Sequence, residues 1–258
     1  MTVLQKIRQN QDSNQKCLAV LIDPDKVEMR GIKAQIDLYV SAKVDLFFVG
    51  GSLISGNNFY VLVEALRRQT EIPVVIFPGS NLHIHSDADA ILLLSLISGR
   101  NAELLIGQHV VAAPILKNSG LEILSTGYML IDGGKSTTVS YISNTQPIPA
   151  DKEDIAVCTA LAGEMLGLKL IYLDGGSGAQ EPVRAKMISA VRRSISNPLI
   201  VGGGINSGIK AQSAWEAGAD IVVVGNGLEK SPELLDQIIS TRNRLNRHSL
   251  KAEPSPTL

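Results

Sequence analysis

The sequence predicts a modified TIM (β/α)8 barrel, on three observations. The chain has 258 residues, a length that suits one large α/β domain. Eight short, nearly continuous apolar runs follow one another, as is typical of parallel strands buried on both faces. Most intervals between the runs carry apolar residues every three to four positions, the pattern of amphipathic crossover helices. An open doubly wound sheet is the alternative, but no Gly-x-Gly-x-x-Gly motif follows the first run to support it.

The apolar runs are the predicted strands. They cover residues 18–23, 45–50, 73–79, 90–97, 121–131, 168–174, 198–204 and 220–225. The clearest helical stripes are Ile32/Ile36/Tyr39/Val40, Phe59/Leu62/Val63/Leu66, Ile155/Cys158/Leu161/Ala162/Met165, Val183/Met187/Val191/Ile195 and Leu234/Leu235/Ile238/Ile239. Weaker stripes at 100–117 and 207–218 complete the expected set of helices.

One interval is too short for a helix. Only residues 81–89 separate the third and fourth runs, and a crossover helix with its two loops needs a longer segment. We expect the third helix to be missing or replaced by an extended segment, which would open the barrel wall on that side. Residues 1–248 are expected to form this single domain, and residues 249–258, which carry no core pattern, a flexible tail.

The composition excludes several classes of protein. Lys and Arg total 24 and Asp and Glu total 25, so the net charge is −1, and no basic excess draws the chain to nucleic acid. The two cysteines, Cys17 and Cys158, exclude a disulfide scaffold, and we expect both in the core. No apolar stretch approaches the ~20 residues that span a bilayer. With no signal-peptide pattern at the N-terminus, a cytoplasmic location is expected.

Glycine clusters follow the last two predicted strands, where a barrel of this type places its active-site loops. They are Gly202-Gly203-Gly204 and Gly225-Asn226-Gly227. Glycines let backbone N–H groups approach an anion closely, and loops at these two positions commonly bind phosphate. Tight turns alone are the other interpretation, but two clusters on adjacent strands favour a phosphate site.

The loop after the sixth strand combines more glycines with a carboxylate. It reads Tyr172-Leu173-Asp174-Gly175-Gly176-Ser177-Gly178. A carboxylate is unfavourable beside a bound anion, so Asp174 needs another role. It is a candidate for binding a substrate hydroxyl or acting as a general base, with capping of a loop amide as the alternative.

Two further groups of polar residues could bind a metal. Asp23, Asp25 and Ser52 follow the first two strands, and an acid with a hydroxyl suits Mg²⁺, which keeps several water ligands; a helix N-cap for 27–43 is the alternative, and the residues alone leave both open. The His83, His85, Asp87 and Asp89 side chains alternate in an extended segment. Nothing else in the sequence completes a zinc site there, so we do not favour one.

Seven motifs, in order, resemble the geranylgeranylglyceryl phosphate synthases, prenyltransferases of ether-lipid synthesis. The motifs are LIDPDK (21–26), FVGGS (48–52), PVVIFPGS (73–80), STGYMLIDGG (125–134), YLDGGSGA (172–179), IVGGGI (200–205) and VVGNG (223–227). The match runs from about residue 16 to 240. The related heptaprenylglyceryl phosphate synthases share the fold, but the DPDK and Gly-Gly-Ser motifs are more similar to those of the geranylgeranyl branch.

The resemblance implies a set of site residues. It implies a barrel without its third helix, and Mg²⁺ held by Asp23 and Ser52. It implies that sn-glycerol 1-phosphate is bound by Tyr172, Leu173, Asp174, Gly175, Gly176, Ser177, Gly178, Gly203, Gly204, Gly225 and Asn226. The family usually carries Glu where this chain has Asp174, one methylene shorter, and often alanine at Gly175.

The implied reaction is transfer of a geranylgeranyl group from its diphosphate to the 3-hydroxyl of sn-glycerol 1-phosphate, with Mg²⁺ as cofactor and Asp174 as the base. The opened wall near 81–99 is the candidate groove for the prenyl chain. The resemblance also implies a homo-oligomer, and leaves open a transient membrane contact. Alternatives are a heptaprenyl-transferring relative, a sugar-phosphate isomerase or aldolase-like barrel, and a phosphate-binding barrel without catalytic activity. Lys169, at the wrong end of its strand for a Schiff base, disfavours an aldolase.

Overall fold

The computed structural model describes residues 1–225, 228 and 231–251, without the side chains of 232 and 248–251. Eight parallel strands close into a barrel in sequence order. Their bounds are β1 Cys17–Ile22, β2 Leu46–Gly50, β3 Val74–Phe77, β4 Ala90–Leu96, β5 Glu122–Leu130, β6 Leu170–Asp174, β7 Leu199–Gly202 and β8 Ile221–Val224. Each predicted run contains one strand to within a few residues at either end, and the predicted barrel is confirmed.

Helices surround the barrel. They are α1 Val3–Asp12, α2 Ile32–Ser41, α3 Asn58–Gln69, α4 Gln108–Asn118, α5 Thr138–Ser143, α6 Glu153–Met165, α7 Ala185–Ser194, α8 Gly208–Glu216 and α9 Pro232–Lys251, with a 3₁₀ turn at Met29–Gly31 and a π-helical turn at Glu103–Gly107. The sequence did not predict α1 or α5. The last helix extends three residues past 248, and 252–258 lie outside the described residues, so the flexible tail stays a prediction.

The N-terminal helix closes the end of the barrel opposite the predicted active-site loops. Thr2 and Gln5 form a capping box at the start of α1, which satisfies two backbone N–H groups that would otherwise have no partner. Val3 and Ile7 are buried in the cluster that fills the barrel interior. The Glu122 carboxylate accepts hydrogen bonds from the N–H groups of Val3 and Leu4, which fastens α1 to the start of β5.

The third crossover helix is absent, as expected from the short interval. Residues 78–89 form turns and bends without a helix. β3 pairs with β4 only through Val75–Ala90 and Ile76–Ile91, whereas β4 pairs with β5 along its full length. The segment Leu92–Leu96 therefore rises above the β3 pairing, and the wall is open at that point.

The helix α6 packs through a different face from the predicted one. Its buried residues are Ala156, Ala160 and Gly163, while Cys158 is exposed and 82% of Met165 is accessible. The prediction that Cys158 is a core residue is wrong, although Cys17 is buried as expected. The inner face of α6 carries small residues because the helix lies close to the sheet. A Cβ on Gly163 would come within 2.8 Å of Ile97.

Among the described residues, no helix is both long enough and apolar enough to cross a membrane.

Candidate active site

A cavity of about 540 Å³ lies at the carboxyl end of the barrel. The strand-end loops of β1, β2, β6, β7 and β8 surround it, as the sequence predicted. The predicted site residues that line it are Asp23, Ser52, Tyr172, Asp174, Gly176, Ser177, Gly178, Gly203, Gly204 and Gly225. Asn226 lies outside the described residues, so its predicted contact with phosphate stays a prediction.

Two glycine loops form one wall of this cavity. Gly176, Gly178, Gly203 and Gly204 all have positive φ, which side chains other than glycine adopt at a cost. A Cβ on Gly203 would lie 2.7 Å from the Gly176 nitrogen, so the β6 and β7 loops fit together only with glycine there. The Gly175 N–H donates to the Gly202 carbonyl, and the Gly176 N–H donates to Asp174. The N–H groups of Gly203 and Gly204 take no part in the hydrogen bonds that join these loops. They are therefore able to donate to a bound anion.

Two residues of the predicted phosphate site lie elsewhere. Leu173 points into the outer layer between the barrel and its helices, because neighbouring side chains on a strand face opposite sides. The Leu173 side chain therefore does not line the cavity, so only its backbone could contact substrate, and its predicted binding role stays a prediction. Gly175 lies behind the loop, on the far side from the cavity, and its N–H is already used within the protein. Its part is to join the β6 and β7 loops.

Asp174 is buried at the end of β6, where it accepts two hydrogen bonds. Oδ1 accepts from the Gly176 N–H at 2.7 Å, and Oδ2 accepts from the Tyr128 hydroxyl at 2.5 Å. Burial raises the pKa of the Asp174 carboxyl, and the two hydrogen bonds oppose that rise because they favour the charged form. A carboxylate with a raised pKa, fixed beside an anion cup, can bind a substrate hydroxyl and take its proton.

Three aromatic rings support this carboxylate from below. Phe77, Tyr128 and Tyr172 pack edge to face, with ring centroids 5.5 to 6.0 Å apart. Desolvation and the nearby Asp174 charge raise the pKa of Tyr128 and Tyr172 well above the usual value, so both phenols stay protonated. No role for Tyr128 was predicted from the sequence. Its only signal was a hydroxyl in a buried strand, which needs a hydrogen-bond partner inside the barrel.

The opposite side of the cavity carries the predicted metal ligands. Asp23 and Ser52 both line the cavity, and the Asp23 carboxylate forms an ion pair with Lys26. One carboxylate and one hydroxyl fit Mg²⁺, which needs few protein ligands when a substrate phosphate supplies the others. The described residues contain no group of three or more His, Cys, Asp or Glu side chains that could hold a metal ion, so a Mg²⁺ site at Asp23 and Ser52 stays a prediction.

Asp25 has a different task from Asp23. Its carboxylate accepts hydrogen bonds from Ser55 N, Ser55 Oγ and Gly56 N, and these bonds lower the pKa of Asp25. It thereby fixes the loop that follows Ser52. The helix α2 begins at Ile32 with Gly31 as its N-cap, so the alternative that Asp23 or Asp25 caps this helix is wrong.

An apolar groove of about 230 Å³ leads away from the cavity through the open wall. Ser52 and Phe77 line both spaces, so the two adjoin at these residues. The groove passes Leu92, Leu93 and Leu94 of β4 and the loop at 78–81. Its far wall is a row of residues spaced by four along the π turn and α4: Leu104, Gln108, Ala112 and Leu116. His109 of α4 also lines the groove, and its Nε2 lies 3.2 Å from Ser95 Oγ.

The histidines at 83 and 85 shape the loop beside this groove. Nδ1 of His83 accepts a hydrogen bond from the Gly79 N–H, and Nδ1 of His85 accepts one from the Asp87 N–H. Each ring also lies against an aromatic side chain of α3, His83 against Phe59 and His85 against Tyr60. These contacts give the alternating histidines a structural role in the segment that replaces the third helix.

A closed parallel barrel with a glycine-lined anion cup and an adjoining apolar groove belongs to the phosphate-binding class of (β/α)8 barrels. Residues 11–242 match the model of the PcrB family, and the chain belongs to this family. It is 56% identical over 252 residues to the geranylgeranylglyceryl phosphate synthase of Spirosoma linguale, covering 98% of this chain and 100% of that protein.

Other relatives agree with this assignment. The geranylgeranylglyceryl phosphate synthase of Chitinophaga pinensis is 56% identical over 223 residues, covering 86% of this chain and 88% of that protein. The crystal structure of (S)-3-O-geranylgeranylglyceryl phosphate synthase from Thermoplasma acidophilum, in complex with sn-glycerol-1-phosphate, superposes with a TM-score of 0.89 at 32% identity. The superposition covers 95% of this chain and 99% of that one.

Proposed function

We propose that this protein transfers a geranylgeranyl group from geranylgeranyl diphosphate to the 3-hydroxyl of sn-glycerol 1-phosphate. The observation that carries the proposal is that the glycine-lined cup and the apolar groove adjoin at Ser52 and Phe77, with Asp174 buried in the cavity wall. An anion and a long apolar chain can thus be held with their reactive ends together. Relatives that are named for this product, at 56% identity, support it.

The reaction needs one bond to break and one to form. The bond between prenyl C1 and the diphosphate oxygen breaks, and both electrons leave with the diphosphate. The 3-hydroxyl oxygen of glycerol phosphate then bonds to C1. Asp174 accepts the hydroxyl proton, while Tyr128 and the Gly176 N–H hold the carboxylate in place.

Mg²⁺ is the proposed cofactor, held by Asp23 and Ser52. When bound, it neutralises the charge that develops on the departing diphosphate. Asp25 keeps the loop beside Ser52 in position through its three hydrogen bonds. Because these residues lie at β1 and β2, across the barrel from the β6 and β7 cup, the diphosphate and the glycerol phosphate would have separate binding sites.

The groove length supports a geranylgeranyl chain. Leu104 and Leu116 lie twelve residues apart along the groove wall, a distance of roughly 18 Å at 1.5 Å per helical residue. An extended isoprene unit spans roughly 5 Å with C–C bonds of about 1.5 Å, so four units need about 20 Å. A heptaprenyl chain would need nearly twice the length, and would have to leave the groove at its far end.

We further propose a homo-oligomer in the cytoplasm. Exposed apolar side chains lie on α4, α5 and α6, which follow one another along the chain. They include Val110, Ile115, Tyr141, Met165 and Leu166, each more than half accessible. Exposed apolar side chains of this kind are candidates for a surface that a second copy covers. Transient contact with a membrane, where the prenyl substrate dissolves, is the other use of such a surface.

The test is a product assay by mass spectrometry. Geranylgeranyl diphosphate is offered with sn-glycerol 1-phosphate or with its 3-phosphate enantiomer, each with Mg²⁺ and with a chelator. We expect the ether product only from the 1-phosphate and only with metal. Product from heptaprenyl diphosphate alone would favour the heptaprenyl alternative, and no product from any pair would refute prenyl transfer.

A further inference from the structure

The cavity that is proposed to take two phosphorylated substrates is poor in positive charge. Its described lining carries two carboxylates, Asp23 and Asp174, and one ammonium, Lys26. Lys26 is already paired with Asp23 on the β1 side of the barrel. A glycerol phosphate dianion in the β6 and β7 cup would therefore meet backbone N–H groups and the Asp174 carboxylate, without a cation from the described lining.

The loop after β5 places a lysine beside the β6 loop that forms part of this cup. Gly133 accepts hydrogen bonds at its carbonyl from the N–H groups of Gln180 and Glu181, which ties the β5 loop to the β6 loop. A Cβ on Gly133 would come 2.6 Å from Ala179, so the two loops are in close contact. Two residues later, Lys135 lines the neighbouring space behind the β6 loop. Its Nζ lies 3.7 Å from where a Cβ on Gly178 would be, and Gly178 itself lines the cavity.

We propose that Lys135 is a substrate-binding residue, and that its ammonium donates a hydrogen bond to the phosphate of the glycerol phosphate substrate. The side chain is exposed, and its four-carbon stem lets the ammonium move toward a ligand. Within the described part of the chain, no carboxylate lies within ion-pair distance of Lys135. Its charge is thus available to a ligand.

The position of Lys135 assigns it to one substrate rather than both. It borders β5 and β6, the side of the barrel that holds the glycine cup, while Asp23 and Lys26 lie beside β1. In a closed barrel of eight strands in sequence order, these two sides face each other across the cavity. Lys135 should therefore affect the affinity for glycerol phosphate and leave the affinity for the prenyl diphosphate nearly unchanged.

The test compares Lys135→Gln, Lys135→Arg and a control, Lys169→Gln. Lys169 is an exposed lysine at the opposite end of the barrel, so its substitution makes the same charge change away from the cavity. A charged hydrogen bond is worth about 1.5–3 kcal/mol, so K135Q should raise the KM for sn-glycerol 1-phosphate roughly tenfold to a hundredfold. The kcat and the KM for the prenyl diphosphate should change less than about threefold, K135R should recover most of the loss, and K169Q should match the wild type.

The inference rests on the proposed function, so a calorimetric titration separates the two. Binding of sn-glycerol 1-phosphate and of inorganic phosphate is measured without prenyl substrate, after circular dichroism shows that each variant is folded. If the wild type binds both but forms no ether product, prenyl transfer fails while the titration still decides on Lys135. Equal phosphate affinity in K135Q and K169Q would overturn the inference, as would a wild type that binds neither ligand, or a K135Q defect confined to the prenyl diphosphate.

Discussion

The Tyr128 hydroxyl donates a hydrogen bond to Oδ2 of Asp174, with 2.5 Å between the two oxygens, inside the barrel. The phenol lies on β5, two residues before Leu130, which pairs with Asp174 at the end of β6. Burial raises the pKa of Asp174, and this bond lowers it again. Tyr128 thus controls both the orientation of the proposed base and the pH at which it can act.

Replacing Tyr128 by phenylalanine should shift the pH dependence of the reaction. The variant loses a hydrogen bond that favours the charged carboxylate, so the pKa of Asp174 rises further. The acid limb of the profile of kcat/KM against pH should move to higher pH, with kcat about tenfold lower near neutrality. Tyr39→Phe, which removes a buried hydroxyl on α2, is the control. An unchanged acid limb in Y128F would show that this bond does not tune the base.

Asp174→Asn should abolish turnover and stabilise the fold at neutral pH. Asparagine cannot accept the proton, so kcat should fall by roughly 10²–10⁴-fold. The folded-state pKa of Asp174 is raised, so its contribution to stability is present when it is protonated and is lost as pH rises through that pKa. Asparagine does not ionise, so the variant keeps this stability as pH rises. The thermal midpoint should exceed that of the wild type at neutral pH and approach it in acid, and a lower midpoint at neutral pH would contradict this.

Much of the barrel could be predicted from the sequence because its strands are apolar on both faces. Each run stands out from polar loops, and residues 81–89 are too few for a helix, so both the strand order and the missing helix followed from spacing. The stripe on α6 misled the prediction because Ile155 and Met165 face outward. Helical periodicity shows that an apolar face exists, but does not tell whether the barrel or another molecule covers it.

The site was predictable where backbone chemistry determines it. Glycines after β6 and β7 indicated the cup, because close approach of N–H groups to an anion requires them. The bond between Tyr128 and Asp174 and the position of Lys135 next to Gly178 join residues 46 and 43 positions apart. Such contacts depend on how strands and loops pair in three dimensions, which a motif in a single stretch of sequence does not contain.

Substitutions of the two aspartates in the loop after β1 should distinguish metal binding from the ordering of the neighbouring loop. Asp23→Asn removes the charged ligand and should weaken Mg²⁺ binding about 100-fold or more, because a neutral amide is a poor substitute for a carboxylate. Asp25→Asn leaves Asp23 in place as the ligand but weakens the hydrogen bonds of residue 25 to Ser55 and Gly56. We therefore expect Mg²⁺ binding to weaken by only about tenfold. Mn²⁺ binding, followed by electron paramagnetic resonance, measures both without turnover. Equal losses would contradict the assignment of Asp23 as the ligand.

Filling the groove should shorten the accepted prenyl chain. Ala112 is buried in the middle of the far wall, so Ala112→Phe should exclude the last isoprene units. Each buried CH₂ contributes about 0.8 kcal/mol, and kcat/KM for geranylgeranyl diphosphate should fall about 100-fold. Geranyl diphosphate should react as in the wild type. The control is Val111→Phe on the exposed face of the same helix. Equal losses for both chain lengths would place the chain elsewhere.

The ion pair at the closed end of the barrel should govern stability without touching the site. Arg192 donates to the Asp220 carboxylate and to the carbonyls of Ile195 and Asn197, and Asp220 also accepts from the Leu199 N–H. Arg192→Ala leaves a largely buried carboxylate without its cation, so the free energy of unfolding should fall by about 3 kcal/mol at neutral pH. Denaturant unfolding measures the loss.

The pH dependence of that loss distinguishes the unpaired charge from lost packing. Burial already raises the pKa of Asp220 and Arg192 opposes the rise, so removing Arg192 raises that pKa further. Protonation relieves the unpaired carboxylate, and the deficit of R192A should shrink as pH falls and grow as pH rises through the pKa. Arg192→Ala combined with Asp220→Asn should lose the pH dependence, and KM for both substrates should stay at wild-type values. A deficit that is constant with pH would assign the loss to packing and to the carbonyl hydrogen bonds instead.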